Sequence, residues 1–265
     1  MSNEKSKLTF APRTKLVKLP SQGKLYSVDH PYHDKTEVKI YAMSGRHEDI
    51  LSNEDYLRSN TMITELLKAA VVDKIDIDML LTGDATSLVY AHRITGFGPK
   101  MEMNINCLNC NTIDRIKVNL NEFEIHNLGL KALVPYKNEF ELKYQYKGLE
   151  KLYHNEYIFR FKLLRWGDAE SIRTISAGRS SKGLKTSGRF SDVLRRLLIS
   201  INGNESLKEE FVDNGPADFI HDIYTKILDV TPRFDDRVSH KCSRCGTEIT
   251  VLVVADANFF WPERI

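Results

Sequence analysis

The stretch Cys107-Leu108-Asn109-Cys110 decides how this chain is interpreted, because a matching stretch, Cys242-Ser243-Arg244-Cys245, follows much later. The two motifs contain all four cysteines of the 265 residues, and 131 residues separate them. A Cys-x-x-Cys turn is short enough for both sulfurs to reach one ion, and four cysteines complete the ligand set of a structural zinc site. The sequence therefore predicts one structural zinc ion per chain, bound by Cys107, Cys110, Cys242 and Cys245.

The residues that flank both motifs favour β-structure. MEMNIN precedes Cys107, IDRIKVNL begins at position 113, and TEITVLVVA begins at position 247. Val, Ile and Thr favour extended backbone, and Gly246 permits the tight turn that such a motif needs. The pattern predicts two halves of a zinc ribbon. Their long separation means that either a subdomain is inserted or the metal joins distant parts of the chain.

Four cysteines could also form a redox site, an iron-sulfur site or two disulfide bonds. Cys-x-x-Cys also occurs in redox enzymes and iron-sulfur sites, but a thioredoxin-like motif lies at a helix start after a strand. A pair of disulfides would suit a secreted chain. The opening MSNEKSKLTFAPRTK is polar and basic, so we expect no signal peptide. His240 stands near Cys242, and we interpret it as a surface histidine because four cysteines suffice.

Composition gives broad limits. A hydrophobic content of 42% is ordinary for a globular protein, and a net charge of +2 indicates no particular partner. The longest apolar runs, such as VLVVA at 251–255, are far shorter than the roughly 20 residues of a membrane span, so we expect no membrane contact.

Two segments are locally basic. One is the N-terminus, residues 1–18, and the other is 179–196, whose first half is rich in Gly and Ser. Phosphate contacts to nucleic acid are conceivable there, but interleaved aromatic residues for base stacking are lacking. We expect the 178–188 loop to order on a protein partner, and we regard nucleic acid as the weaker alternative.

Periodicity predicts the remaining elements. Residues 14–30 are interpreted as an extended arm and 38–45 as a strand, followed by two amphipathic helices from Glu48 to Val71. A helix is predicted to start at Asp84 as its N-cap, and Arg93 to pair with a nearby aspartate. Alternating ELKYQYK and YIFRFKLL predict an antiparallel sheet. Further helices are expected at 166–177, 189–201, 205–213 and 216–229.

The sequence contains no familiar catalytic motif and no clear second ligand site. HExxH, GxSxG and GxGxxG motifs are lacking, and the phosphate-loop-like Gly178–Thr186 has one residue too many before its lysine. Asp73, Asp76, Asp78 and Asp84 lack the spacing of a calcium loop. We therefore expect no enzyme, although an active site assembled from distant residues stays as a third possibility.

These patterns together predict an α+β fold with a helical core, antiparallel β segments and a split zinc-ribbon-like four-cysteine module. The expected parts are an extended N-terminal arm (1–36), a mainly helical domain (37–100), the split module (101–120 and 238–256), an inserted α+β region (121–237) and a C-terminal arm (257–265). The aromatic C-terminal run either docks on a partner or packs on the chain's own zinc module. The candidate partner-binding residues are Leu19, Pro20, Gly23, Tyr26, Phe259, Phe260 and Trp261.

Three features in order resemble a known family. They are LPSQGKLY at 19–26, the helical block ELLKAAVVDKIDIDMLLTGDATSLVYAHRITGFG at 65–98, and a Cys-x-x-Cys strand pair directly afterwards. The order is similar to that in baseplate proteins of T-even-type contractile-tail bacteriophages, the group that contains hub and hub-assembly proteins. The resemblance covers roughly the first 120 residues, and Phe97 stands where a tyrosine is usual.

The resemblance implies a non-enzymatic virion component of the tail baseplate, in a large symmetric hetero-oligomer with other baseplate or tail proteins and assembled in the host bacterial cytoplasm. A reducing cytoplasm would keep the thiols available for zinc. Two alternatives stay open at this point: an assembly chaperone that is absent from the mature virion, and a nucleic-acid-binding zinc-ribbon protein.

Overall fold

A computed structural model describes residues 10–129, 131–181 and 189–261. The N-terminal residues 1–9, most of the 178–188 loop and the last four residues of the C-terminal arm lie outside the described residues.

The N-terminal half combines one β-hairpin with a group of helices. β1 (Thr14–Lys18) pairs antiparallel with β2 (Glu37–Tyr41), so that Val17 lies opposite Val38. The hairpin therefore joins the predicted arm to the predicted helical domain. The helices that follow are α1 (Gly45–Leu51), α2 (Glu54–Arg58), α3 (Met62–Ala70) and α4 (Thr82–Phe97), with a 3-10 turn at Ile77–Met79.

Helix α4 lies at the centre of the fold, and its sequence explains this position. Its small residues allow close approach on several sides, so that Gly83, Ala85 and Ser87 are buried together with Leu88 and Tyr90. A helix that is buried almost all round lacks one clear polar face. The elements that contact α4 include β1, β2, α3, α5 (Trp166–Ser181) and β9 (Arg233–Phe234).

The middle of the chain forms a three-stranded antiparallel sheet with helices against it. The strand order is β6 (Phe140–Gln145), β7 (Glu156–Phe161) and β8 (Leu198–Ile201). The helices are α6 (Arg189–Leu197), α7 (Glu205–Asn214) and α8 (Ala217–Val230). Phe219 of α8 is buried against an aromatic cluster, with its ring centroid 4.3 Å from that of Tyr146 and 5.0 Å from that of Phe211.

Two further hairpins carry the cysteine motifs. β3 (Lys100–Asn106) pairs with β4 (Ile113–Asn119), and β10 (Arg237–Lys241) pairs with β11 (Glu248–Leu252). The remaining described elements are a short pair, β5 (Ile125–His126) with β9, the terminal helix α9 (Ala257–Phe260), and 3-10 turns at Leu120–Glu122 and Lys151–Tyr153.

One continuous hydrophobic core includes residues from Val17 near the N-terminus to Phe260 near the C-terminus. Helices and small antiparallel sheets both contribute to it, and a four-cysteine cluster lies at the ends of two hairpins. The predicted α+β class with a four-cysteine module is confirmed. Within the part of the chain that the structure describes, no helix has both the length and the apolarity of a membrane span.

Some local predictions were wrong. The helix expected at 189–201 ends at Leu197, because Leu198–Ile201 is a buried strand that pairs with β7. Asn202 and Gly203 then turn the chain with φ of 52° and 77°. Asp84 is not an N-cap, since α4 begins two residues earlier and Asp84 is buried in its first turn.

Candidate metal centre

The structure brings the four cysteines to one point. The Sγ atoms of Cys107 and Cys245 are 3.6 Å apart, those of Cys110 and Cys242 are 3.5 Å apart, and all four lie within 4.8 Å of one another. Four sulfurs around zinc at a bond length of about 2.3 Å would lie about 3.8 Å apart. A disulfide bond is about 2.05 Å long, so the cysteines are free thiols. The cluster has the ligands and size for one tetrahedral metal ion.

The two cysteine turns repeat each other residue by residue. The backbone N–H of Cys107 donates to the carbonyl of Thr112, and the N–H of Cys242 donates to the carbonyl of Thr247, both at 2.9 Å. Asn111 and Gly246, directly after the second cysteine of each turn, have φ of 56° and 70°. The strands on either side fix both turns, so their sulfurs converge from two hairpins.

A threonine supports one thiol in each turn. The distance from Cys110 Sγ to Thr112 Oγ1 is 3.3 Å, and that from Cys245 Sγ to Thr247 Oγ1 is 3.1 Å. The side-chain hydrogen bond of Thr247 and its backbone N–H lower the pKa of Cys245 to about 5. Those of Thr112 likewise lower the pKa of Cys110. Both threonines therefore favour the thiolate form, which is the form that binds metal.

The thiol of Cys242 behaves differently. Backbone N–H groups of Cys245 and Arg244 act to lower its pKa, but burial and hydrogen bonds with Cys110 and Cys245 outweigh them and raise it to about 11. Four thiolates so close together repel one another, so one of them keeps its proton more firmly. A divalent cation would compensate this negative charge and release the proton.

A carboxylate beside the centre joins the two hairpins. Asp114 of β4 accepts hydrogen bonds from Ser243 N (2.9 Å), Ser243 Oγ (2.5 Å) and His240 Nε2 (2.8 Å). The side-chain and backbone donors of Ser243, followed by His240, lower the pKa of Asp114 to about 2. His240 lies outside the four-cysteine cluster, as expected, but it is partly buried and contacts the opposite hairpin, which the sequence did not predict.

Sequence reasoning missed this set of supporting residues. A threonine follows the second cysteine at the same spacing in both motifs, Cys110-Asn111-Thr112 and Cys245-Gly246-Thr247, and this repeated spacing was the available signal. Asp114 gave no such signal, because its partners lie more than 120 residues away in the sequence.

The candidate partner-binding residues of the N-terminal region lie inside the chain. Leu19, Pro20, Gly23 and Tyr26 are buried, and residues 19–34 form a series of turns where the sequence predicted an extended arm. Gly23 has φ of 72°, and a Cβ atom there would lie 2.4 Å from Tyr32 O, so only glycine fits. Partner binding by these residues stays a prediction.

The C-terminal aromatic residues are placed by Arg93. Its side chain is buried and donates to three backbone carbonyls: those of Phe259 (3.1 Å), Lys100 (3.2 Å) and Gly98. The predicted ion pair of Arg93 with an aspartate was therefore wrong. Phe259 and Phe260 are buried, whereas Trp261 is partly exposed. Phe259 packs against Tyr90 of α4, with ring centroids 4.8 Å apart, so the C-terminal run lies in the chain's own core. The two arrangements expected from sequence were docking on a partner and packing on the zinc module.

Two arginines at the end of the second basic segment form ion pairs with acidic side chains of neighbouring helices. Arg195 contacts Glu209 at 2.8 Å and also Asp213, and Arg196 contacts Asp168 at 3.2 Å. These pairs hold α6 against α7 and α5.

Comparisons with known proteins place the chain in a family. A search of the curated proteins found no match, and a search of the solved structures also found none. The family model described as T4 bacteriophage base plate protein matches residues 11–261, which is nearly the whole chain and includes both cysteine motifs. This chain therefore belongs to the T4 bacteriophage base plate protein family.

Proposed function

We propose that this protein is a structural subunit of a contractile phage tail baseplate, located in or next to the hub and stabilised by one zinc ion. The observation that carries the proposal is the family match over residues 11–261. It extends beyond the first 120 residues, where the sequence motifs lie, and takes in the second cysteine hairpin and the C-terminal core.

Zinc is the metal that we assign to the centre. Four thiolates in a compact cluster suit zinc better than calcium or magnesium, which prefer oxygen ligands. The ion would link residues 107–110 to residues 242–245 and so close a loop of 131 residues. Closing so long a loop restricts the unfolded chain and stabilises the folded one. The role of the ion is therefore structural.

We also propose that neighbouring subunits contact the ends of the chain. Phe10 and Leu16 support this, because they are apolar and exposed at 91% and 56%. Leu19 and Tyr26 follow in the sequence and are buried in the chain's own core, so they would anchor this segment. Neighbours would then bind the exposed residues, while the motif residues keep the shape of the surface. The partners expected are other baseplate or tail proteins in a symmetric hetero-oligomer.

The ion pairs of Arg195 and Arg196 favour this function over a nucleic-acid-binding zinc ribbon. A binder of nucleic acid needs cations that are available to phosphates, and these two are engaged with acidic side chains of the same chain.

We likewise infer a non-enzymatic role from the family, with assembly in the host cytoplasm and a final location in the virion.

Quantitative mass spectrometry of purified phage particles and of isolated baseplates tests the proposal. We expect the chain in both preparations, at a constant ratio to other baseplate proteins. A chain that is required for infectivity yet missing from both preparations would be an assembly chaperone and would contradict the proposal. Particles of a Cys242→Ser mutant should show reduced baseplate assembly.

A further inference from the structure

The two cysteine hairpins are connected by contacts that do not involve the metal. Asp114 on the first hairpin accepts three hydrogen bonds from His240 and Ser243 on the second, and Asn109 Nδ2 lies 3.2 Å from Thr247 Oγ1. Ser243 and Asn109 both lie inside a Cys-x-x-Cys turn, between the two cysteines. The contacts therefore act directly on the segments that carry the sulfurs.

The two cysteine turns repeat each other, but only the first hairpin has an acid at the position of Asp114. A shift of 135 residues superposes Cys107 on Cys242 and Cys110 on Cys245 in the sequence, and it places Ile249 in the position of Asp114. Leu108, which is 91% exposed, takes the position of Ser243. The local turn therefore does not require an acid and a serine at these places. Asp114 and Ser243 instead connect the two hairpins to each other.

We propose that Asp114 is a positioning residue of the metal centre, which holds the second cysteine turn against the first and so prearranges the ligands. The inference rests on the proposed zinc site. The carboxylate of Asp114 adds negative charge beside four thiolates. The benefit of Asp114 therefore lies in the geometry of its hydrogen bonds and not in attraction to the cysteine ligands. Supporting hydrogen bonds outside the ligand shell commonly change metal affinity about 10- to 100-fold.

The test is the zinc affinity of the full chain, measured by competition with a chromogenic chelator. For Asp114→Ala we expect affinity about 10- to 100-fold below wild type and faster zinc removal by excess chelator. Asp114→Asn should recover most of the affinity, because its carbonyl oxygen can accept from Ser243 N and His240 while its NH₂ donates to Ser243 Oγ. Glu102→Ala is the matched control, since this acid on the same hairpin contacts Arg115 at 2.5 Å.

The outcomes separate the positioning role from its alternatives. If Asp114→Ala binds zinc as tightly as wild type, the inference is overturned while the zinc site stands. Equal weakening in the Ala and Asn variants would overturn it as well, because charge would then be the cause. A wild-type chain without zinc would overturn both the site and the inference.

Ser243→Ala provides a second variant in case Asp114→Ala does not fold. It removes the 2.5 Å hydroxyl contact and keeps the backbone contact, so we expect a smaller loss of zinc affinity than in Asp114→Ala. Unchanged affinity and an unchanged rate of zinc removal in Ser243→Ala would contradict the inference.

Discussion

Tyr26 Oη donates a 2.6 Å hydrogen bond to Asp84 Oδ2 across 58 positions of sequence, and both residues are buried. Ser21 adds two bonds to the same carboxylate, from its backbone N–H at 3.0 Å and from its hydroxyl at 2.6 Å. The phenol oxygen of Tyr26 also accepts from Leu81 N. The LPSQGKLY segment and the start of α4 are therefore held together by one buried polar network.

Replacing Tyr26 tests this network. We expect Tyr26→Phe to lower the free energy of unfolding by about 1–3 kcal/mol, because it leaves the Leu81 N–H and part of a buried carboxylate without a partner. Chemical denaturation measures the change, and Tyr56→Phe, at a half-buried tyrosine on α2, serves as the control. A loss no greater than in the control would show that the network contributes little.

Gly83 permits the close approach of α4 to the chain before β9. A Cβ atom at this position would lie 2.1 Å from the carbonyl oxygen of Pro232. We expect Gly83→Ala to destabilise the protein by about 1–3 kcal/mol, although alanine favours helices more than glycine does. At Gly45 a Cβ atom would have nothing within 4 Å, so Gly45→Ala should be neutral or slightly stabilising. Thermal unfolding measures both changes. Equal effects of the two changes would contradict the packing argument.

His92 makes stability depend on pH. It is buried beside His47, with ring centroids 4.6 Å apart, and its Nδ1 donates to the carbonyl of Tyr41. Burial, with a smaller effect from His47, lowers the pKa of His92 to about 4, against 6.5 in the unfolded chain. Between these values the unfolded chain takes up a proton that the folded chain does not.

The free energy of unfolding should therefore fall as the pH drops from about 6.5 to 4, by up to about 3 kcal/mol from His92 alone. Denaturant titrations at several pH values measure this slope. His92→Gln should flatten it, and His221→Gln, at an exposed histidine, is the matched substitution for comparison. An identical slope in His92→Gln and wild type would exclude His92 as its source.

Arg93 connects the C-terminal aromatic residues to α4 and β3. Lysine has the charge but not the planar set of donors that reaches three carbonyls, so we expect Arg93→Lys to cost about 2–4 kcal/mol. Chymotrypsin should then cleave the bonds after Phe259 and Phe260 faster than in wild type. Arg46→Lys, at an exposed arginine over the Tyr41 ring, is the control. Unchanged cleavage would mean that other contacts hold the C-terminus.

The cysteine cluster could be predicted from sequence because its chemistry is local. Two sulfurs three positions apart can reach one ion, and strand-forming flanks place each pair at a hairpin end. The roles of Asp84, Arg93 and Asp114 could not be predicted in this way. Each depends on partners brought together only by the folded chain, at separations of 63, 166 and 129 residues for Ser21, Phe259 and Ser243.

The strand at Leu198–Ile201 shows a different limit of sequence reasoning. Its apolar residues continue the helical pattern of α6 without a break, so periodicity alone extends the helix. Pairing with β7 and the turn at Asn202-Gly203 decide the outcome, and tertiary contacts commonly override local preference in this way.

The metal content of the purified chain, with its unfolding temperature before and after a strong chelator, tests the central claim most directly. We predict about one zinc ion per chain and a marked fall in unfolding temperature when the chelator removes it. A metal-free chain with oxidised cysteines and an unfolding temperature insensitive to chelator would contradict the zinc centre.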